Sequence, residues 1–151
     1  MAKAPRILIV EARYYEDLAD ELTRGAIAEL ERAGAKWERV AVPGAFEIPA
    51  AIAFALRARG RRRARGFDGY VALGCVIRGE TSHYDLVCAE CARGLQSLAH
   101  EHGIALGFGV LTCESREQAR ARALRSDGDK GGEAARACLA MLALKRELGG
   151  R

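Results

Sequence analysis
The chain has 151 residues, 50% apolar, 6% aromatic and 29% charged, with a formal net charge of +4 at pH 7. That length suits one domain over 1–151 that buries roughly two-thirds of its unfolded surface; the mild charge does not mark a nucleic-acid or membrane binder, and no apolar run reaches the roughly 20 residues that span a bilayer. The start lacks a signal-peptide core, and five cysteines at irregular spacing read as reduced thiols, so the expected location is cytoplasmic.

Taken in order, Arg6 to Glu11 is an apolar first strand, with Ala12 to Tyr15 as the turn at its carboxyl end. From Glu16 the period becomes helical, with Leu18, Leu22, Ala26, Leu30 and Ala33 on one face and Glu16, Asp17, Asp20 and Glu21 near the helix start, where negative charge is favoured. Gly34 stops that helix, Lys36 to Val42 alternates enough for a second strand, and Pro43-Gly44 ends it. Ala45 to Pro49 leads into a second helix running through Leu56, Pro49 being tolerated because it lies in the first turn.

Arg57, Arg59, Arg61, Arg62, Arg63 and Arg65 then make a run of six cations around Gly60 and Gly66. A nucleic-acid contact is one reading. A solvated helix end is the better one, because cations suit a helix C-terminus and no aromatic residues are interleaved.

Tyr70 to Ile77 is a continuous apolar run, the pattern of a strand buried on both faces of a parallel sheet. A third helix is expected from Tyr84 to Glu101 and a fourth strand from Ile104 to Leu111, followed by a turn at Thr112 to Ser115. Ser115 and Gln118 have the form of a capping box for a helix from Arg116 to Leu124. Ser126 to Gly132 is a loop of turn formers, and a last helix, Glu133 to Leu148, carries Ala137, Met141, Leu144 and Leu148 on one face. Strand and helix alternate four times, so right-handed crossovers give a three-layer α/β/α sandwich, flavodoxin-like, on a four-stranded parallel sheet.

Ligands of such sheets gather at the carboxyl ends of the strands. Arg78-Gly79-Glu80-Thr81-Ser82-His83, directly after the central strand, holds a cation, a permissive glycine, hydroxyls and the side chain that titrates nearest neutrality, just before a helix start that attracts anions. It reads as an active-site loop with an anion subsite. The same rim gathers Tyr14 and Tyr15, Gly44 to Glu47, and Thr112 to Ser115, with Arg122 and Lys130 near the last of these in sequence.

Tyr14 before an acidic helix, Pro43-Gly44-Ala45-Phe46-Glu47-Ile48-Pro49, Gly74 to Asp85 (GCVIRGETSHYD), Gly109 to Glu114 and Asp129-Lys130-Gly131 together resemble lumazine synthase over nearly the whole chain. The resemblance implies the penultimate step of riboflavin biosynthesis: 5-amino-6-(D-ribitylamino)uracil condenses with 3,4-dihydroxy-2-butanone 4-phosphate to 6,7-dimethyl-8-ribityllumazine, with loss of water and phosphate. It implies no metal and no redox cofactor. It also implies a homo-oligomer with sites between subunits; a pentamer is favoured over a sixty-subunit shell, because the chain starts almost directly with its first sheet strand.

By the same resemblance His83 is the proton-transfer residue, and Gly79, Glu80 and Thr81, with Arg78 beside them, form the phosphate loop. Arg122 pairs with the departing phosphate, and Lys130 lies near it. Tyr14 stacks on the pyrimidine ring, where Phe or Trp is more usual. Ala45, Phe46 and Glu47 receive the ribityl chain, the backbone at Val76 and Ile77 contacts the pyrimidinedione, and Phe108 reaches a neighbour's site. Without the family, each has a plainer role: Arg122 and Lys130 as surface charges, Glu47 as a first-turn acid, Phe46, Phe108, Val76 and Ile77 as core.

Rival readings are a thiol-dependent hydrolase using Cys113 at a strand end, a flavin- or lumazine-binding module without catalysis, and a zinc site at Cys88 and Cys91. The last lacks a second ligand pair in sequence.

Overall fold
The alternation of apolar runs and amphipathic segments folds as β1 (Arg6–Ala12), α1 (Glu16–Arg32), β2 (Lys36–Val42), a 3-10 turn (Ala45–Glu47) leading into α2 (Ile48–Ala58), β3 (Gly69–Ile77), α3 (His83–His102), β4 (Ala105–Cys113), α4 (Arg116–Ala123) and α5 (Lys130–Glu147). This is a computed structural model that describes residues 3–59 and 66–149. Most of the arginine run, 61 to 65, lies outside the described residues.

Among the described residues the four strands form one sheet in the order β2-β1-β3-β4, every pair parallel. The order reverses beside β1, as in a flavodoxin-like sheet, and a crevice opens there at the carboxyl ends. Successive side chains alternate between two cores. Ile7, Ile9, Val71 and Leu73 pack under Leu18, Leu22, Ala26 and Leu30 of α1, the small residues of α4, and Ala134, Ala135, Cys138 and Leu142 of α5. Leu8, Val10, Tyr70 and Ala72 pack under Ile48 and Ile52 of α2 and Val87, Cys91 and Leu95 of α3. Helices therefore cover both faces of the sheet, the expected three layers.

The structure differs from the sequence expectations in several places. Met141, Leu144 and Leu148 of the last helix are exposed, and so is Ala137; the buried stripe is Gly131, Gly132, Ala134, Ala135, Cys138 and Leu142. The reason is close approach: a Cβ on Gly107 would lie 1.9 Å from the Ala134 carbonyl oxygen, and one on Gly131 would lie 1.9 Å from that of Leu22. Only small residues fit where α5 meets β4 and α1, so the bulky stripe faces outward. That helix also begins earlier, at Lys130, with the Asp129 carboxylate accepting from the Gly132 N–H and Asp129 itself left-handed at φ 46°.

β4 runs on through Thr112 and Cys113, which the sequence assigns to a turn, because both pair with Val76 and Ile77 of β3. α3 starts at His83, one residue before the expected Tyr84. Ala33 is exposed at the C-cap of α1 and adds nothing to its buried face. β2 is largely exposed, as an edge strand with one neighbour can be. Ser115 Oγ accepts from the Gln118 N–H at 3.2 Å, but Gln118 reaches back to the Glu114 N–H at 2.9 Å, so the capping box is displaced by one residue.

Candidate active site
Three strand ends build the site. β1 ends at Ala12 and delivers Tyr14; β2 ends at Val42 and delivers Pro43 to Glu47; β3 ends at Ile77 and delivers the loop to His83. Between them lies a cavity of about 660 Å³ lined by Tyr14, Ala45, Phe46, Glu47, Val76, Ile77, Gly79, Thr81 and His83 among others. Nine of the residues singled out from sequence thus meet in one space, although they come from three separate stretches of chain.

Each side chain is set by its local element. His83 is the first residue of α3, exposed, and its N–H donates to Thr81 Oγ1 at 3.3 Å, which closes the loop onto the helix start. Glu47 accepts from the Gly44 N–H at 3.1 Å, so its carboxylate both caps the 3-10 turn and faces the cavity. Tyr14 is 74% exposed and meets Tyr15 edge-on, with ring centroids 4.9 Å apart. Tyr15 is itself packed against the core, under the Arg116 guanidinium at 5.7 Å.

Arg78 does not line the cavity. It donates to Glu114 at 2.9 Å and Asp85 at 3.2 Å and lies over the Tyr84 ring at 4.2 Å, and the Glu114 carboxylate foremost raises its pKa. These contacts tie the loop to the end of β4 and the start of α3. Glu80 lies in the same exposed loop, outside the cavity lining.

Three further candidates are elsewhere on this chain. Arg122 is exposed on α4, donating to the Gln118 carbonyl at 3.1 Å. Lys130 donates to Glu133 at 2.8 Å at the start of α5. Phe108 projects from β4 into a separate apolar groove of about 700 Å³ with Met141, Leu144 and Leu148.

Sequence reasoning missed Pro43, Tyr84, Leu86 and Val87 as lining residues. The available signal was helical spacing, since Leu86 is three residues after His83 on the first turn of α3 and is exposed.

Cys75 also lines the cavity, but burial first, and then neighbouring Cys113, push its thiol up to about 12. Cys113 is 1% exposed and burial raises it as well, so neither supplies a thiolate near neutrality. Cys91 is buried in the α2/α3 core, and among the described residues no group of three or more His, Cys, Asp or Glu could hold a metal ion. Nor is any described helix long and apolar enough to cross a membrane.

A family model described as 6,7-dimethyl-8-ribityllumazine synthase matches residues 4–146. The chain is 56% identical over 147 residues to 6,7-dimethyl-8-ribityllumazine synthase 1 of Rhizobium meliloti (strain 1021), covering 97% of this chain and 95% of that protein. It is 55% identical over 146 residues to the synthase of Agrobacterium fabrum, covering 97% and 98%, and 50% identical over 149 residues to that of Bartonella tribocorum, covering 99% and 95%. With its parallel sheet and a rim cavity built from the same segments that carry the sequence resemblance, the chain belongs to the 6,7-dimethyl-8-ribityllumazine synthase family.

Proposed function
We propose that this protein condenses 5-amino-6-(D-ribitylamino)uracil with 3,4-dihydroxy-2-butanone 4-phosphate to 6,7-dimethyl-8-ribityllumazine, releasing phosphate and water, as a transferase of riboflavin biosynthesis. The observation that carries the reading is the cavity at the strand ends, which joins an aromatic ring, a carboxylate, a glycine and hydroxyl loop and an imidazole in a chain of this family. The whole chain then acts as one domain, in keeping with a family match over 4–146. Five free thiols favour the cytoplasm.

Tyr14 offers a face for the pyrimidinedione to stack on, while the backbone at Val76 and Ile77 meets the polar edge of that ring. Ala45, Phe46 and Glu47 take the ribityl chain, with Glu47 accepting from its hydroxyls. The Gly79 to Thr81 amides and the Thr81 hydroxyl hold the ketone's phosphate at the start of α3, where a helix dipole favours an anion. His83 then stands between the two substrates. Attack of the amine on the ketone, loss of phosphate and ring closure each move a proton, and an imidazole, with one nitrogen to accept and one to donate, can serve all three.

Arg122, Lys130 and Phe108 fall outside this chain's cavity, so their roles belong to a neighbouring copy's site. The assembly we favour is a pentamer with sites between subunits. Arg122 there supplies a planar donor that meets phosphate in a bidentate manner.

Mixing the two substrates and following lumazine fluorescence together with released phosphate tests the reading. Both products are expected to appear at equal rates. Arg122→Ala should lower turnover roughly 100-fold, as for loss of a preorganised anion donor. His83→Ala should cost only about 10-fold, below the roughly 100-fold or more that a positioned acid or base ordinarily supplies, because water can replace an exposed imidazole. No rate above the uncatalysed background in wild type would overturn the proposal.

A further inference from the structure
The residues that anchor the site from below carry an assignment that the family resemblance does not supply. Glu11 is only 2% exposed, on the β1 face that presents Ile7 and Ile9 to the core under α1. Where the strand pattern calls for a third apolar residue, it holds a carboxylate. That carboxylate accepts from Arg39 of β2 twice, at 2.7 and 2.8 Å, and from Arg13 at 2.6 Å. Arg13 also donates to Asp20 of α1 at 2.6 Å, and its backbone N–H donates to the Val42 carbonyl at 3.1 Å, directly before Pro43 of the cavity wall.

Arg13 is thereby bound to β1, β2 and α1 at once, and it is the residue before Tyr14. Tyr14 itself is 74% exposed, and its ring contact is the edge of Tyr15. An exposed ring with so little support of its own takes its direction from the backbone on either side. The Arg13 and Arg39 side chains are 25% and 44% exposed, so solvent screens these pairs and they are a poor means of stabilising a sheet. A fixed bidentate geometry is what this cluster provides that apolar packing would not.

We propose that Glu11, Arg13 and Arg39 form a positioning cluster that orients Tyr14 for stacking on the pyrimidinedione and aligns the exits of β1 and β2 across the cavity. The inference rests on the proposed reaction, in which the ring stacks on Tyr14. The cluster acts through Tyr14 and touches neither substrate. Its loss should therefore weaken capture of the pyrimidinedione and leave the butanone phosphate unaffected.

The test is a double-mutant cycle of Arg13→Lys and Tyr14→Ala, with Glu11→Gln as a second, isosteric route to the same cluster. The readouts are the Kd of 5-amino-6-(D-ribitylamino)uracil by calorimetry and the KM of each substrate. Each single substitution should raise the pyrimidinedione Kd and KM roughly five- to tenfold, the worth of one aromatic stack. The butanone phosphate KM should stay within about twofold, and Arg13→Lys should add almost nothing once Tyr14 is Ala. Cys138→Ala, at a buried position of α5 on the same side of the sheet, lowers the melting temperature without moving either KM and so marks what a purely structural loss looks like.

Additive effects of the two substitutions, or equal changes in both KM values, would overturn the assignment and leave a stability role. Wild type that binds the pyrimidinedione but makes no lumazine would remove the proposed reaction while the Kd cycle still decides the positioning role. Wild type that does not bind it at all removes both.

Discussion
At the scale of single residues, the environment decides which candidate groups can react. Burial holds the thiols of Cys75 and Cys138 up to about 12 and that of Cys91 up to about 11. A group titrating near 12 is about 10⁻⁴ thiolate at pH 8, against a substantial fraction for a free cysteine near 8.5. Iodoacetamide at pH 8 should thus leave wild type active, with intact mass showing slow labelling of the four buried thiols, half-buried Cys88 reacting first, and rapid labelling of all five after denaturation. Fast inactivation by one adduct on Cys113 would restore the hydrolase reading. Glu11 differs in kind: burial pushes its carboxyl up, yet the bonds from Arg39 and Arg13 together outweigh that and leave it below its ordinary value. With a depressed folded value, the unfolded chain takes the proton first as pH falls. The stabilisation is therefore complete above the ordinary Glu value of about 4.3 and is lost as pH drops through the lower folded value. Wild type should lose stability in acid below about pH 4.3, and Glu11→Gln should show a shallower slope there in urea midpoints measured against pH. Parallel slopes would mean that Glu11 is not the group responsible. Tyr14, Glu47 and His83 were legible in sequence because motif spacing carries them, whereas the burial of Glu11 was not, since a strand pattern cannot say which partners wait on a neighbouring strand and helix.

Among the elements, the strands read more truly than the last helix. β2 begins and ends at the residues expected, and β3 begins one residue early, because apolar runs bounded by Gly and Pro leave little choice of boundary. In α5 the large residues are mostly on the exposed side, and the buried side is mainly Gly and Ala, with Cys138 and Leu142. Periodicity of bulk misleads wherever backbones touch, since the contact face then selects for small volume. The consequence is measurable. Gly107→Ala and Gly131→Ala each drive a Cβ to 1.9 Å from a carbonyl oxygen. Backbone cannot yield as a flexible side chain does, so each should cost roughly 1–3 kcal/mol or more. Gly79→Ala meets nothing within 4 Å and should leave the urea midpoint unchanged. If Gly107→Ala fell within about 0.5 kcal/mol of wild type, as harmless surface changes do, the close approach of α5 to β4 would not hold in solution.

For the whole molecule, the separation of the candidate residues into two groups is the main fact to be explained. Tyr14, Phe46, Glu47, Thr81 and His83 share one cavity, while Arg122 sits in the last turn of α4, Lys130 at the start of α5, and Phe108 in an apolar groove of its own chain. Sequence order could bring both groups to one rim, but it could not show that they lie apart within one chain, because a motif carries no distances; the sharing of sites between subunits came only from the family resemblance. A head-to-tail ring, in which each copy presents one group to its neighbour, accommodates both. Such a ring makes a prediction that a monomeric site does not. His83→Ala impairs the site on its own cavity and Arg122→Ala the one next door, so a mixed ring regains full sites where a chain with intact His83 meets a neighbour with intact Arg122. Random co-assembly of equal amounts leaves about a quarter of the interfaces intact. Co-expressed variants, purified through different tags, should therefore recover about a quarter of wild-type turnover, well above the roughly 10-fold loss expected for His83→Ala alone. Light scattering on the same sample should give the mass of five chains, the pentamer we propose. Activity no higher than the average of the two parents, in particles shown to contain both tags, would place His83 and Arg122 in one subunit's site and remove the argument for a shared one.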